Sequence, residues 1–294
     1  MSSTIPLHGA EPIDTKKAEP DDLRHWSVTT IIGVLDKPAL TYWAANKTAE
    51  AAVEDLELVG RMASKNPTEA VKWLAGARFR TPKGQRTAAD LGTAVHAACE
   101  EYALTGVKPQ QGDKLGNGEI FDAELQPFLD QFDRWLQIWT PSYQAAEVTV
   151  YSPTYGIAGT CDGFLTIDGV PLIIDYKTSR ESFDSKGNPK TVYPEIGLQL
   201  AAYRHAELAA VWRPRRFEQF RRRYYLLSEA ERAQAVPVPE VDGGLGIMIT
   251  PEHCTAYPVR CDEDVYERFL YVLEAARFSI EMAPTIVGNP LVKD

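Results

Sequence analysis

G-T-C-D-G-F-L-T-I-D-G-V-P-L-I-I-D-Y-K, residues 159–177, is the stretch whose reading decides the fold. At its centre, Asp168-Gly169 is a two-residue turn signal, because the tight turn between twisted antiparallel strands needs positive φ at both central positions and Asp and Gly tolerate it best. With that pair as the loop, Ile167 faces Val170, and counting outward sets Asp162 opposite Asp175. Side chains alternate faces along a strand, so Asp162, Asp175 and Lys177 share one side. Leu165, Ile167, Val170, Leu172, Ile174 and Tyr176 share the other, which is expected to be core. Directly opposed residues have Cβ atoms about 5 Å apart, and two carboxylates there repel unless something positive lies between them. A hard divalent cation answers that need, since Mg²⁺ prefers oxygen ligands and often takes one or two protein carboxylates beside water and phosphate oxygens. An ordinary hairpin with two solvated aspartates and a lysine is the plain alternative, because D-x-K is a short pattern.

The rest of the chain sets the bounds. Its 294 residues, 44% hydrophobic and 24% charged, suffice for one large domain or for a domain with an extension. No apolar run approaches the roughly 20 residues of a membrane helix, and residues 1–22, polar and Pro-containing, read as a flexible leader without the apolar region of a secretory signal. Cys99, Cys161, Cys254 and Cys261 form no C-x-x-C pair, which argues against a zinc knuckle or a disulfide scaffold and fits a reducing cytoplasm. The net charge of −10 argues against nonspecific coating of nucleic acid, although local Lys and Arg placement, not the total, sets affinity for phosphates. Two basic clusters stand out: Arg78, Arg80, Lys83 and Arg86, and the run Arg213, Arg215, Arg216, Arg221, Arg222 and Arg223. Each reads equally as a phosphate contact or a solvated face.

Along the chain, residues 23–86 look all-helical: a capped turn begins at Ser27, a long helix spans 39–62 with Trp43 packed inward, and Pro67 opens another. Residues 87–104 form a firm helix whose stripe, Leu91, Val95, Ala98 and Tyr102, faces the core, with Gly106 as its C-cap. His96 lies beside the stripe, next to the small residues Gly92 and Thr93, and reads as a boundary residue or a ligand. A helix over 121–139 carries Phe128, Phe132, Trp135 and Trp139 as core, and a strand over 145–151 carries Glu147, solvent-exposed or turned toward the carboxylates. After the polar loop 178–193, a helix opens at Pro194 and puts Gln199 and Tyr203 four apart on one face. Strands over 217–227, 246–250 and 254–259 and a helix over 262–282 complete the reading.

Ordered along the chain, G-T-A-V-H (92–96), Glu147, G-T-C-D (159–162), D-Y-K-T (175–178) and Q-L-A-A-Y (199–203) form a set that resembles the PD-(D/E)xK nuclease superfamily, and within it the RecB-like and Cas4-like branch with its phage-encoded exonucleases. The resemblance implies an α/β, restriction-endonuclease-like core, a mixed central sheet flanked by helices in the order α-β-β-β-α-β. That core spans 87–284, after the leader (1–22) and a helical N-terminal region (23–86) and before a tail (285–294). It implies Asp162, Asp175, His96 and the Tyr176 carbonyl as ligands of Mg²⁺ or Mn²⁺, with Glu147 binding directly or through water. Lys177 would polarise the attacking water and touch the scissile phosphate, while Gln199 and Tyr203 orient Lys177 or the DNA. Arg78, Arg80, Lys83, Arg86, Thr178, Arg221 and Arg223 become candidate DNA contacts. The substrate expected is linear DNA in recombination, repair or end processing in a bacterial cell, with a single-strand annealing protein, a recombinase or a helicase as the class of partner, and no membrane. Cluster-bearing relatives use one early and three late cysteines; only Cys254 and Cys261 are late here, so no iron–sulfur cluster is expected. Two other readings stay open: a nucleic-acid-binding protein on a degenerate nuclease fold, and a retaining glycosidase using Asp162 and Asp175 as its carboxylate pair, about 5 Å apart as such pairs are.

Overall fold

Asp168 and Gly169 take the left-handed conformations the turn requires, with φ of 50° and 83°. The strands they join pair in the register read from the sequence, from Ile167 opposite Val170 to Gly163 opposite Ile174. This computed structural model describes residues 11–12, 23–81, 85–210, 215–219 and 222–290. The chain divides into two units, one comprising Met1–Val34 with Gly92–Asp294 and the other Leu35–Leu91.

The larger unit is built on a mixed sheet of eleven strands among the described residues. They are β1 (Glu11–Pro12), β2 (Leu23–Ser27), β3 (Ser142–Ser152), β4 (Ile157–Ile167), β5 (Val170–Thr178), β6 (Leu208–Ala209), β7 (Arg215–Gln219), β8 (Arg222–Leu227), β9 (Val236–Pro237), β10 (Gly243–Ile249) and β11 (Cys254–Val259). One path runs β1-β7-β8-β2-β4-β3-β6-β9, and a second leaves β4 through β5 and β10 to β11. β3-β4-β5 is an antiparallel meander, whereas β10 lies parallel to β5. A parallel neighbour requires a crossover, and the longest helix of that connection passes over the sheet just after β5.

The helices are α1 (Val28–Ile32), α2 (Pro38–Glu54), α3 (Leu56–Lys65), α4 (Pro67–Ala75), α5 (Ala88–Thr105), α6 (Gln126–Trp139), α7 (Glu195–Arg204), α8 (Glu229–Arg232), α9 (Glu263–Arg277) and α10 (Ala283–Ile286). Both faces of the central strands are covered. Phe132 of α6 and His96 of α5 meet the Tyr176 ring edge-on at 5.6 and 5.7 Å. On the opposite face, Gln199 of α7 reaches Asp175. Phe164 and Ile173, which share the aspartates' face, are therefore as buried as Leu165, Ile174 and Tyr176 of the face read as core, whereas Val170 of that face, next to the turn, is 42% exposed. None of the described helices is long and apolar enough to cross a membrane.

The smaller unit contains α2, α3, α4 and a 3-10 turn at Ala77–Phe79. Asn66 caps α4 by accepting from Glu69 N.

Several expectations need correction. Leu23–Ser27 is a strand rather than helix, paired with β8 and packed through Trp26 against Tyr224. The single helix over 39–62 is two, divided at Asp55, whose φ and ψ of −109° and 32° leave the helical region. Trp43 and Trp139 are 45% and 46% exposed rather than core. The strand over 217–227 is two, β7 and β8, paired antiparallel.

Candidate active site

The meander does not stay paired to its end. Beyond Gly163–Ile174 the ladder between β4 and β5 stops, while β5 continues beside β10, with Asp175 opposite Gly246 and Thr178 opposite Ile249. The vacated edge of β4 is taken up again by β2 at Ile157 and Ala158. A fork opens between them, with residues 159–162 on one prong and 175–178 on the other. Asp162 and Asp175 stand at its crotch, where the register would have paired them. Tyr176 N–H, released from the ladder, donates to Asp162 Oδ2. Because the N–H and C=O of one strand residue leave by the same edge, the Tyr176 carbonyl faces the fork too.

Three groups gather on the Asp162 side. His96 Nδ1 lies 3.6 Å from Asp162 Oδ1, and His96, Glu147 and Asp162 each bring one potential ligand atom within 4.8 Å of the others. Glu147 sits across β3 from Asp162, between the pairs Ala146–Gly163 and Val148–Cys161. Its φ of 49° is uncommon for a residue with a side chain, and such strain, roughly 1–3 kcal/mol, gathers at functional sites. Two carboxylates and an imidazole this close suit one divalent cation, since opposed ligands bound at about 2.1 Å stand about 4.2 Å apart. The oxygen-rich set fits Mg²⁺ or Mn²⁺ better than a thiophilic ion.

Asp175 is held differently. Its Oδ1 accepts from Gln199 Nε2 at 2.6 Å and its Oδ2 from Lys177 Nζ. Lys177 Nζ also reaches Gln199 Oε1 at 3.4 Å, and Gln199 Nε2 reaches the Tyr203 hydroxyl at 3.3 Å. Gln199 and Tyr203 thus act as one face of α7. That face can approach because Gly159 has no side chain: a Cβ there would lie 2.3 Å from Tyr203 Cε1. Gly92 plays the same part on α5, where a Cβ would lie 3.2 Å from Thr178 Oγ1.

The electrostatics separate the two aspartates. Burial pushes the Asp175 carboxyl up to about 6 despite the Lys177 ammonium beside it. Burial acts on Asp162 as well, but His96, Lys177 and the Tyr176 N–H outweigh it and hold Asp162 below the usual carboxylate range. Burial lowers both His96 and Lys177, and the neighbouring carboxylates more than offset it, so both are shifted upward. One carboxylate is firmly ionised and the other close to taking a proton, as expected of two acids sharing one site.

The structure therefore brings together His96, Glu147, Asp162, Asp175, Tyr176, Lys177, Gln199 and Tyr203, with Thr178 at the end of the same strand. The ligand atoms within 4.8 Å of one another come from His96, Glu147 and Asp162, while Asp175 is hydrogen-bonded to Lys177 and Gln199. Arg78, Arg80 and Arg86 lie in the smaller unit. Lys83 and Arg221 lie outside the described residues, as does the side chain of Arg223, whose backbone pairs with Glu218. Sequence reasoning missed Tyr143, whose hydroxyl lies 2.6 Å from that of Tyr176 beneath the fork. It also missed the part played by Gly159, which a glycine inside a strand can signal as a place of close approach.

A sequence profile described as the PD-(D/E)XK nuclease superfamily matches residues 70–278. No curated protein sequence matches the chain. Among solved structures, one titled "Crystal structure of SSO0001" aligns at 16% identity over 53% of this chain and 58% of that one, with a TM-score of 0.27. The match thus spans less than two thirds of that structure's length.

Proposed function

This chain belongs to the PD-(D/E)XK nuclease superfamily, whose members cleave phosphodiesters with divalent metal ions, and we propose that it is a Mg²⁺- or Mn²⁺-dependent deoxyribonuclease working as an exonuclease on linear DNA. The observation that carries the reading is the fork, with His96, Glu147 and Asp162 on one side of the opening and Asp175, Lys177 and Gln199 on the other. The order of the motifs from Gly92 to Tyr203 favours the RecB-like and Cas4-like branch, and with it recombination, repair or end processing in a bacterial cytoplasm, including a phage-encoded role. A single-strand annealing protein, a recombinase or a helicase is the class of partner that such processing serves.

Asp162, Glu147, His96 and the Tyr176 carbonyl would hold the cation, with Asp175 joining from the opposite prong. Bound there, it supplies positive charge for the nonbridging oxygens and a nucleophile at neutral pH. Lys177 places a second positive charge at the opening, where charge develops in the transition state. Gln199 fixes both Lys177 and Asp175, so the ammonium is already oriented when substrate arrives. Before the cation binds, His96 holds Asp162 ionised. Tyr203, seated on Gly159, keeps Gln199 from turning away.

The test is a time course on end-labelled linear DNA and covalently closed circular DNA, with Mg²⁺, Mn²⁺ or EDTA, for wild type and Lys177→Ala. Degradation of the linear form alone, abolished by EDTA and by the substitution, is expected. Cleavage of closed circles would overturn the exonuclease assignment. Equal activity in Lys177→Ala would overturn the site. Binding of DNA without cleavage under either metal would identify a non-catalytic member on this fold.

A further inference from the structure

The smaller unit differs in charge from the rest of the chain. Leu35–Leu91 carries nine Lys and Arg against seven Asp and Glu, a net of +2, where the remainder carries −12. The excess is concentrated in residues 65–86, with six basic side chains and one acidic. In the same segment, aromatic rings and guanidinium groups are layered. The Arg80 guanidinium lies 3.5 Å from the centre of the Trp73 ring and donates to the Trp73 carbonyl at 3.1 Å, which locks the stack. One residue earlier, Phe79 is 65% exposed, with the Arg78 guanidinium 4.6 Å from its ring centre.

Phe79 stands exposed on the 3-10 turn at Ala77–Phe79, which is buried only through Ala77. Two ring–guanidinium pairs in one basic segment have a specific use: aromatic faces accept unpaired bases while guanidinium groups meet the phosphates. A paired duplex offers no base faces to such a surface. A neutral protein partner would not call for the local positive charge.

Resting on the nuclease reading above, we propose that Trp73, Arg78, Phe79 and Arg80 form a stacking platform for single-stranded DNA. Phe79 takes a base face, Arg78 flanks it and contacts the backbone, and the Trp73–Arg80 stack supplies the rigid end of the platform. The substrate class is thereby narrowed to DNA with a single-stranded segment, such as a frayed or resected end.

The experiment measures fluorescence anisotropy of a labelled single-stranded oligonucleotide with the full chain in EDTA, where no turnover occurs. It is repeated with a duplex of the same length and with an oligonucleotide whose central bases are removed but whose phosphates remain. Wild type is expected to bind the intact single strand most tightly. Phe79→Ala should weaken that binding about fivefold to hundredfold, the range for losing one base–aromatic stack, and should erase the preference over the base-free strand. Phe79→Trp should restore it. Arg78→Gln should also weaken binding and lower the salt slope by about one phosphate contact. Unchanged binding in Phe79→Ala, or wild type favouring duplex or treating the base-free strand alike, would overturn the platform while metal-dependent cleavage still stood. Absence of both binding and cleavage in wild type would overturn the nuclease reading and the platform with it.

Discussion

Lys177 has a side chain 37% exposed at the opening while its ammonium rests on a buried carboxylate. Removing a preorganised donor of this kind typically lowers kcat by about 10²–10³, and Lys177→Ala should do at least that in single-turnover cleavage at saturating metal. Lys177→Arg should not rescue it, because a planar fork cannot take the place of a point charge wedged between Asp175 and Gln199. On the proposed reading Gln199 positions Lys177 and Asp175, and Gln199→Ala should lower kcat by about 10–100-fold, the usual effect of losing a group that orients its neighbours. Its signature is a shift in the pH profile of kcat, since Asp175 loses its amide donor; a purely structural role would leave the profile in place. Away from the site, His25 is buried against the Tyr151 ring. Burial lowers its pKa, with Arg232 adding to the effect and the Leu23 carbonyl opposing it. A histidine lowered on folding stabilises fully above its unfolded value of about 6.5, and that contribution is lost as pH falls through the folded value. Asp175, raised to about 6, acts in the opposite sense. Denaturant melts at pH 7.5 and 5.5 should therefore show a smaller loss on acidification in His25→Asn than in wild type; identical losses would sink the assignment.

At the scale of elements, the fork places everything, and Gly159 is the position where it can be closed by one methyl group. A Cβ there would overlap the Tyr203 ring, so Gly159→Ala must drive the ring out or part β4 from α7. Overpacking of this kind costs roughly 1–3 kcal/mol, visible as a lower denaturant midpoint. The same variant should lose cleavage, because Gln199 moves with Tyr203; adding Tyr203→Phe, which keeps the ring, should leave the stability loss in place. How much of this was legible follows from the same geometry. The hairpin register could be read because Asp-Gly fixes the turn and the period of two fixes all the pairs beyond it. The ordered motifs could be listed as candidates because each lies within one local element, and the structure brings them together at the fork. The fork could not be read. It depends on β10, some seventy residues downstream of β5, taking that strand's other edge, and on β2 reclaiming β4 from the far end of the chain. For the same reason the sequence does not announce that Asp175 accepts from both Lys177 and Gln199. Trp43 and Trp139 fail in another way: helical spacing says which residues share a face, not whether anything covers it.

At the scale of the whole molecule, two observables should separate. A cation gripped by the folded fork and not by the unfolded chain stabilises by mass action, by about 2.7 kcal/mol at a hundred times its dissociation constant. Mn²⁺ should therefore raise the melting temperature of wild type and leave that of Asp162→Asn unmoved, a readout independent of turnover. The two units should also open independently. In α3 no side chain is buried, and the buried apolar residues from α3 through the 3-10 turn are the small Ala70 and Ala77. β4 and β5 instead bury Ile157, Phe164, Leu165, Ile173, Ile174 and Tyr176. Opening free energy follows buried apolar contact, so α3 amides should exchange with deuterium through local openings while those of β4 and β5 await global unfolding. Low denaturant should then leave α3 exchange nearly unchanged and accelerate that of the two strands. Equal protection and equal denaturant sensitivity in both would mean that the chain unfolds as one cooperative body. Single-stranded DNA provides the complementary measurement: oligonucleotide should slow exchange around Ala77–Phe79 without added metal, and Mn²⁺ without DNA should slow exchange at residues 159–162 and 175–178 and beside His96 and Glu147, leaving Ala77–Phe79 unchanged.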